Sequence, residues 1–252
     1  MLVRRGTAFD SVGKWIFHQP APNPTEDTRE NLRALLLLCQ QVLEGLATQD
    51  LLRPQRIQIS SWQKQLVNGR IDERDGVAWT LPPLHITPND WPCQPSALVA
   101  TVETAVDNLF QRYSASFHMP SDILIEGPST LLDAQGAPHL VADALWVEAY
   151  TPIISINTRS DVWLPYSLLA KPQQELAARN APRLKAALEA VETRVGAKGT
   201  SDYNDYAVID GYTLRNVTSD ISDEGEVIDV PYKIERLLNE PNPPAWLFEH
   251  EV

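Results

Sequence analysis

Four short stretches with the alternating pattern of β-strands follow one another between Asp122 and Trp163, and only short connections separate them. Alternating apolar and polar residues predict the strands, and the Asp-Ala-Gln-Gly stretch at 133–136 is a typical turn between the second and the third. Parallel neighbours need a crossover connection of roughly a dozen residues or more, and these connections are far shorter. The segment therefore predicts antiparallel pairing. The predicted strands span residues 122–126, 129–133, 139–149 and 152–158.

Apolar residues at helical spacing predict two helices in the first half of the chain. The first helix opens at Thr25, which can cap it, and carries a leucine-rich stripe over residues 32–46. The second follows Ser96, its predicted cap, and carries its stripe over residues 98–110. The first stripe is wide enough that most of the helix should be buried.

A third helical segment spans residues 173–195 and is interrupted by Pro182. Proline is tolerated in the first turn of a helix and costs about 3 kcal/mol in its interior. We therefore predict a fresh helix that is capped by Asn180 and stopped by Gly196. A continuous, kinked helix is the alternative.

The remaining strands are shorter. Alternation favours strands over residues 7–17 and 55–62. Asn68-Gly69 and Asp75-Gly76 are both turn signals, and they predict a hairpin or meander that reaches Leu81. The apolar pairs Val208-Ile209 and Val227-Ile228 predict short edge strands.

Strands outnumber helices, and the connections of the meander leave no room for crossovers. We therefore predict an α+β fold in which about three main helices pack on largely antiparallel sheet. A length of 252 residues lies at the upper edge of what one core serves, so residues 1–252 are expected to form a single domain. Two lobes, residues 1–115 and 120–252, are the alternative.

Acidic residues are concentrated in the last 53 positions, residues 200–252, which we name the acidic region. Twelve acidic residues stand there against three basic ones, so the region carries −9 of the chain's net charge of −12. Four of the seven tyrosines lie in the same region. Like charges repel one another in a compact fold unless solvent, a metal ion or a cationic partner compensates them. The acidic region is therefore the leading candidate for a functional surface.

One loop in this region begins like an EF-hand calcium loop. Starting at Asp220, oxygen side chains occupy its first, third and fifth positions and Gly225 its sixth. The twelfth position should carry a bidentate carboxylate, but here it is Pro231. A solvated acidic turn is the favoured interpretation.

Metal-assisted hydrolysis is the alternative function. Asp202, Asp205 and Asp210 could offer carboxylates to magnesium, although their spacing is not diagnostic. The five histidines are scattered, and Ser129 lacks the GxSxG elbow of a triad hydrolase. We predict no catalytic residue, no metal site and no cofactor, and a structural subunit remains a third possibility.

Bulk features favour a soluble, cytoplasmic protein. Cys39 and Cys93 have no CxxC or Cys/His neighbours and predict reduced thiols. The longest apolar stretch, residues 34–39, is far shorter than the roughly 20 residues that cross a bilayer. Nucleic acids and anionic membranes are bound mainly through Lys and Arg, so an acidic chain is not expected to bind them. Charge favours basic proteins or metal ions as partners.

The stretch Thr158–Pro165 ends the predicted meander and holds Arg159, Asp161 and Trp163. Exposed together, these side chains would form a polar and aromatic patch of the kind enriched in interfaces. The favoured interpretation is a strand end with a buried tryptophan.

The sequence favours a non-catalytic binding protein that occludes a basic protein partner, such as a bacterial immunity protein neutralising a nuclease-like toxin. Nucleic-acid enzymes expose cationic clefts, onto which a carboxylate-rich surface is steered rapidly. Acidic side chains would supply steering and rim contacts, and tyrosines would act as anchors. The predicted partner-binding residues are Asp202, Tyr203, Asp205, Tyr206, Asp223, Glu224, Glu226 and Asp229.

Overall fold

A computed structural model describes the chain in several stretches between residues 11 and 228. The described residues are 11–18, 29–60, 84–88, 93–113, 122–150, 153–168, 172–201 and 207–216. For the short strands at 62–64, 66–67, 70–71, 78–80, 220–221 and 227–228, the backbone alone is described.

The described residues form three α-helices, a 3-10 turn and seventeen strands. The predicted α+β class, with about three helices and a mostly antiparallel sheet, is confirmed. The helices are α1 (Arg29–Ala47), α2 (Leu98–Tyr113) and α3 (Gln174–Val195), and the 3-10 turn is Pro95–Ala97. The strands are β1 (Gly13–His18), β2 (Arg56–Ser60), β3 (Trp62–Lys64), β4 (Leu66–Val67), β5 (Arg70–Ile71), β6 (Ala78–Thr80), β7 (Leu84–Ile86), β8 (Asp122–Glu126), β9 (Ser129–Leu132), β10 (Pro138–Val141), β11 (Leu145–Tyr150), β12 (Ile153–Thr158), β13 (Thr200–Ser201), β14 (Ala207–Asp210), β15 (Thr213–Asn216), β16 (Asp220–Ile221) and β17 (Val227–Ile228).

Seven strands form the central sheet in the order β13-β1-β12-β11-β8-β2-β7. Every neighbouring pair in this sheet is antiparallel. The predicted meander supplies β8, β11 and β12, while β9 and β10 pair separately as a hairpin. The sheet thus combines strands from both halves of the chain.

One face of the central sheet is apolar because alternate residues of each strand point to the same side. Cross-strand neighbours on this face form two continuous rows, in which every member but Leu84 is buried. Full burial of one such side chain contributes about 1.5–3 kcal/mol. The first row is Trp15, Ile156, Val147, Ile125, Ile57 and Ile86, and the second is Phe17, Ile154, Ala149, Ile123, Ile59 and Leu84.

Helix α1 is the central helix and contacts α2, α3 and β11. Its apolar stripe is buried as predicted, except for Leu37, which is exposed. At the crossing with α3, a Cβ on Gly45 would lie 2.5 Å from Val191 Cγ2 and 2.9 Å from the Val191 backbone. Only glycine therefore lets the two helices approach so closely.

The predicted cap of α2 is wrong. Ser96 lies inside the 3-10 turn that precedes the helix, and Gln94, the residue before this turn, makes no side-chain cap hydrogen bond. Pro95 fixes a helical φ at the start of the turn, so the helical backbone begins before Ser96 can cap it. Thr25, the predicted cap of α1, lies outside the described residues.

Helix α3 runs continuously through Pro182, so the prediction of a fresh helix after Asn180 is wrong. The Asn180 side chain instead donates to the carbonyls of Leu132 and Leu176 and accepts from the Leu132 N–H. Gly196 ends the helix as predicted, in the left-handed region at φ 71°.

The predicted strand 139–149 is two strands, β10 and β11. Asp143 lies between them in the left-handed region at φ 53°, a conformation that Asp adopts more readily than most residues. The Thr158 hydroxyl and the Arg159 N–H both donate to the Ala144 carbonyl. These bonds fix the turn against the end of β12, which explains the break.

The shorter predicted strands are largely present. The strand predicted over 7–17 is β1, and residues 1–10 lie outside the described residues. Strand β4 pairs with β5 across Asn68-Gly69, as the hairpin prediction requires. Val208-Ile209 and Val227-Ile228 are strands as predicted, each within a separate two-stranded pair.

Candidate partner-binding surface

All eight predicted partner-binding residues lie outside the described residues. The structure does describe the chain on both sides of them. Strands β13 and β14 flank residues 202–206, and strands β16 and β17 flank residues 222–226. Asp229 follows β17 directly.

Strand β13 fastens the start of the acidic region to the central sheet. It pairs with β1, so that Thr200 lies opposite Ile16 and Ser201 opposite Trp15. Just before it, a Cβ on Gly199 would lie 2.8 Å from the Phe17 ring, which leaves no room for a larger residue. The acidic region therefore begins as part of the main fold.

The β14–β15 hairpin is the largest described part of the acidic region, and it packs on the core. Ala207, Tyr212 and Leu214 are buried. The Trp15 indole N–H donates to the Gly211 carbonyl at 2.9 Å. Gly211 and Tyr212 form the turn between β14 and β15, so this hydrogen bond holds the turn beside β1.

A second attachment lies at the far end of the hairpin. The Asn216 side-chain amide donates to the Tyr166 carbonyl at 2.8 Å and accepts from the Tyr166 N–H at 3.0 Å. The amide thus takes the place of a paired strand residue. With Trp15, it fixes both ends of the hairpin relative to the body of the protein.

The Tyr212 hydroxyl joins this hairpin to α3. It donates to Glu192 Oε2 at 2.5 Å and accepts from the Gly199 N–H at 2.9 Å. Burial, followed by the hydrogen bond to Glu192, raises the pKa of Tyr212 to about 12. The phenol therefore remains a hydrogen-bond donor throughout the physiological pH range.

Between α3 and the hairpin lies a groove with a volume of about 560 Å³. Charged and hydroxyl side chains line both walls. We name this the α3–hairpin groove. It is lined by Lys185, Glu189, Glu192, Thr193, Lys198, Asp210, Gly211, Tyr212 and Thr213.

The one described member of the predicted carboxylate trio is Asp210, which is paired with Arg215 across the hairpin. Asp202 and Asp205 lie outside the described residues. Within the described stretches, no group of three or more His, Cys, Asp or Glu side chains could hold a metal ion.

The Thr158–Pro165 stretch is a buried strand end, so its favoured interpretation is confirmed. Trp163 is 1% exposed, and its indole N–H donates to the Thr158 hydroxyl. Asp161 is also buried and accepts from the Leu168 N–H at 2.9 Å. The Arg159 guanidinium lies 4.2 Å from the centroid of the Trp146 ring. These side chains organise the turn after β12.

The face of the sheet opposite the apolar rows is polar at its centre. Asn157, Trp146 and Glu126 follow one another across β12, β11 and β8, and all three are buried. The Trp146 indole N–H donates to Glu148 Oε1, and Arg56 pairs with Glu126. The Trp146 bond lies within β11, whereas Arg56 lies opposite Glu126 in the register of β2 and β8, so this ion pair favours that register.

Sequence reasoning missed the contact between Tyr212 and Glu192. The contact joins residues 20 positions apart, and it forms only because the chain reverses direction after α3. The Asp210-Gly211 dipeptide is a turn signal that could have predicted this hairpin. Gly211 indeed adopts φ 58°.

Comparison with known proteins identifies no relative of this chain. The chain matches no protein-family model, no curated protein and no solved structure. Among the described helices, none has the length and apolar character needed to cross a membrane.

Proposed function

We propose that the chain is a non-catalytic binding protein that occludes a basic surface of a partner protein. A bacterial immunity protein that neutralises a nuclease-like toxin, in the cytoplasm, would act in this way. One observation carries the proposal most directly: the acidic residues at 202–206 are flanked by strands that are fastened to the core. The evidence on one side is β13 paired with β1, and on the other the hairpin held by Trp15 and Tyr212.

Fastened flanks matter because binding costs conformational entropy. A charged segment at a free chain end loses most of its freedom when a partner orders it, whereas a segment held at both ends has lost part of that freedom already. Affinity per contact is then higher. The acidic region combines this attachment with the charge of −9 that steers a cationic partner toward it.

The test compares charge reversals at matched positions. The full-length protein is immobilised, and a lysate of its source cell is passed over it at low salt to isolate the partner. Replacing Glu224 and Glu226 with lysine is expected to lower the association rate with the purified partner by about ten-fold or more, because steering depends on these charges. High salt should lower the wild-type rate in the same direction.

The control replaces Glu30 and Glu175, two exposed acids in the first turns of α1 and α3, with lysine. It changes the net charge by the same amount and should leave the rate within about two-fold of wild type. If both double variants slow association by the same factor, the total charge of the protein, and not the predicted surface, accounts for the effect. An unchanged rate in the Glu224/Glu226 variant, or failure to isolate any basic protein, would contradict the proposal.

A further inference from the structure

One hydroxyl group joins three segments of the chain at the start of the acidic region. The Tyr212 hydroxyl, in the turn of the β14–β15 hairpin, donates to Glu192 on α3 at 2.5 Å and accepts from the Gly199 N–H at 2.9 Å. Gly199 lies immediately before β13. The hydroxyl therefore ties the last turn of α3, the chain that enters β13 and the hairpin to one another. We name these three residues the Tyr212 clasp.

The two aromatic rings around Gly199 fix the path of the chain at this point. A Cβ atom on Gly199 would lie 2.8 Å from Phe17 Cζ and 3.2 Å from Tyr212 Cε1, so the chain passes between the rings at a distance that only glycine permits. Both rings are buried in the core. The clasp therefore combines close packing with its hydrogen bonds.

Among the described contacts of β13, the clasp is a large part of what fixes the strand. Strand β13 has two residues, both exposed, and pairs with β1 at the edge of the central sheet. The Thr200 hydroxyl donates to the Ile16 carbonyl at 3.3 Å, which is long for a hydrogen bond from a hydroxyl. Elements with few buried contacts open locally at a low free-energy cost. Loss of the hydrogen bond to Gly199 should therefore loosen β13.

The elements that the clasp joins are those that flank residues 202–206. Strand β13 ends at Ser201 and β14 begins at Ala207, and four of the predicted partner-binding residues lie between them. A segment whose ends are held at a fixed separation has less conformational entropy to lose when a partner binds it. Tyr212 is 8% exposed, so it would act through these ends and not by contact with the partner.

We propose that Tyr212 is a positioning residue for the partner-binding segment, because its hydroxyl holds β13 against the hairpin and so fixes the separation of the two ends of residues 202–206. The inference rests on the proposed function for the role of this segment. It adds to that function the residue that orders the contact surface. Tyr212→Phe is the most direct test, since the variant removes one oxygen atom and keeps the buried ring.

The first measurement needs no partner and follows amide hydrogen exchange by NMR in the full-length protein. In Tyr212→Phe, the amides of Gly199 and β13 should exchange about five-fold faster, because one of their few attachments is lost. The amides of β14 should keep their wild-type rates, because the Trp15 indole still holds the turn of the hairpin. Equal acceleration in β13 and β14 would indicate general destabilisation and would contradict a specific clasp.

The second measurement is the affinity for the purified basic partner, isolated as described for the proposed function. Tyr212→Phe should weaken binding by about three-fold to ten-fold, because the segment then loses more conformational entropy in the complex. Asn180→Ala is the stability control, measured where the variant is folded. It removes buried hydrogen bonds from the other half of α3, and should leave the affinity within about two-fold of wild type.

Variants of Glu192 separate its hydrogen bond from its charge. Glu192→Gln keeps an oxygen that can accept from the Tyr212 hydroxyl, so exchange rates and affinity should stay within about two-fold of wild type. Glu192→Ala removes the acceptor and should reproduce Tyr212→Phe in both measurements. If Glu192→Gln loses affinity while its exchange rates stay at the wild-type level, the charge of Glu192, and not the clasp, is responsible.

Unchanged exchange in β13 of Tyr212→Phe, or wild-type affinity in that variant, would overturn the inference. The proposed function would survive either result if the Glu224/Glu226 reversal still slowed partner association. Conversely, if no basic partner is isolated, the proposed function is contradicted, whereas faster exchange confined to Gly199 and β13 would still support the clasp as the contact that orders these strands.

Discussion

Helix α3 holds two hairpins, and it holds them differently. Its first half fastens β9–β10 through Asn180 and Arg183, whose side chains bond to backbone groups of Leu132, Thr130 and Gln49. Its second half fastens β14–β15 through the Glu192 carboxylate and the Tyr212 hydroxyl.

The difference lies in what each contact satisfies. Asn180 is fully buried, and its side-chain amide bonds to the backbone of Leu132 in β9. Removing this amide would leave the Leu132 N–H and carbonyl without a hydrogen-bond partner, in a place that water cannot easily reach. Glu192 is only half-buried and lines an open groove, so water can reach its carboxylate when the Tyr212 hydroxyl is removed. The first attachment therefore supports the fold, and the second sets the shape of a surface.

The largest expected effect is from Asn180→Ala. The variant leaves the Leu132 N–H and carbonyl without their partner, and should lower the free energy of unfolding by about 3 kcal/mol. Urea denaturation measures this change. Gln174→Ala, at an exposed position in the first turn of α3, is the control and should cost less than about 0.5 kcal/mol. Equal losses in Asn180→Ala and Gln174→Ala would show that the buried bonds of Asn180 add no stability. The first attachment would then not differ from the second in supporting the fold.

Tyr212→Phe should have a smaller effect, about 1 kcal/mol, because the partners of its hydroxyl, Glu192 and Gly199, are only partly buried. The folded-state pKa is about 12 against an ordinary value of 10.0, so the contribution of Tyr212 is present below pH 10 and is lost as the pH rises toward 12. Urea unfolding across this range should show a steeper decline for wild type than for Tyr212→Phe. Tyr166→Phe, at an exposed tyrosine, should follow wild type, and parallel curves for all three proteins would count against the contact.

The smallest effect is expected at acidic pH and concerns the same hairpin, β9–β10, at its contact with Asp50 in the turn after α1. Asp50 accepts from the Thr130 hydroxyl of β9, and the hydrogen bond from Arg53, as the largest influence, lowers the pKa of Asp50 below 3.8. Its contribution is fully present above that value and is lost as the pH falls through the folded-state pKa. Thermal melting below pH 4 should therefore decline more steeply for wild type than for Asp50→Asn. A steeper decline for Asp50→Asn would contradict a lowered pKa of Asp50 in the folded protein.

Local patterns were enough to predict the fold class and most elements. The stripe of α1 and the turn signals of the meander depend on neighbouring residues, and the structure contains both. Pro182 misled the prediction of α3 because its penalty was weighed without the tertiary contacts of Asn180. The split at Asp143 was missed for a related reason, since the bonds from β12 that fix this turn come from a distant part of the sequence.

The candidate surface was predictable in composition and not in geometry. Charge counting identified the acidic region, but it cannot show that Tyr212 reaches Glu192 across the exit of α3. The eight predicted partner-binding residues stay a prediction. The α3–hairpin groove depends on how a helix and a hairpin approach each other, which no local pattern encodes.

The position of β1 in the sheet has a consequence for synthesis on the ribosome. This strand pairs only with β12 and β13 in the central sheet, so Trp15 meets Ile156 long after it has been translated. At about 5–20 residues per second, β1 with its two large aromatic side chains stays unpaired for roughly seven to thirty seconds. The order of the strands thus leaves both aromatic side chains without their strand partners in the nascent chain until Thr158 is made, which favours aggregation or capture by a chaperone.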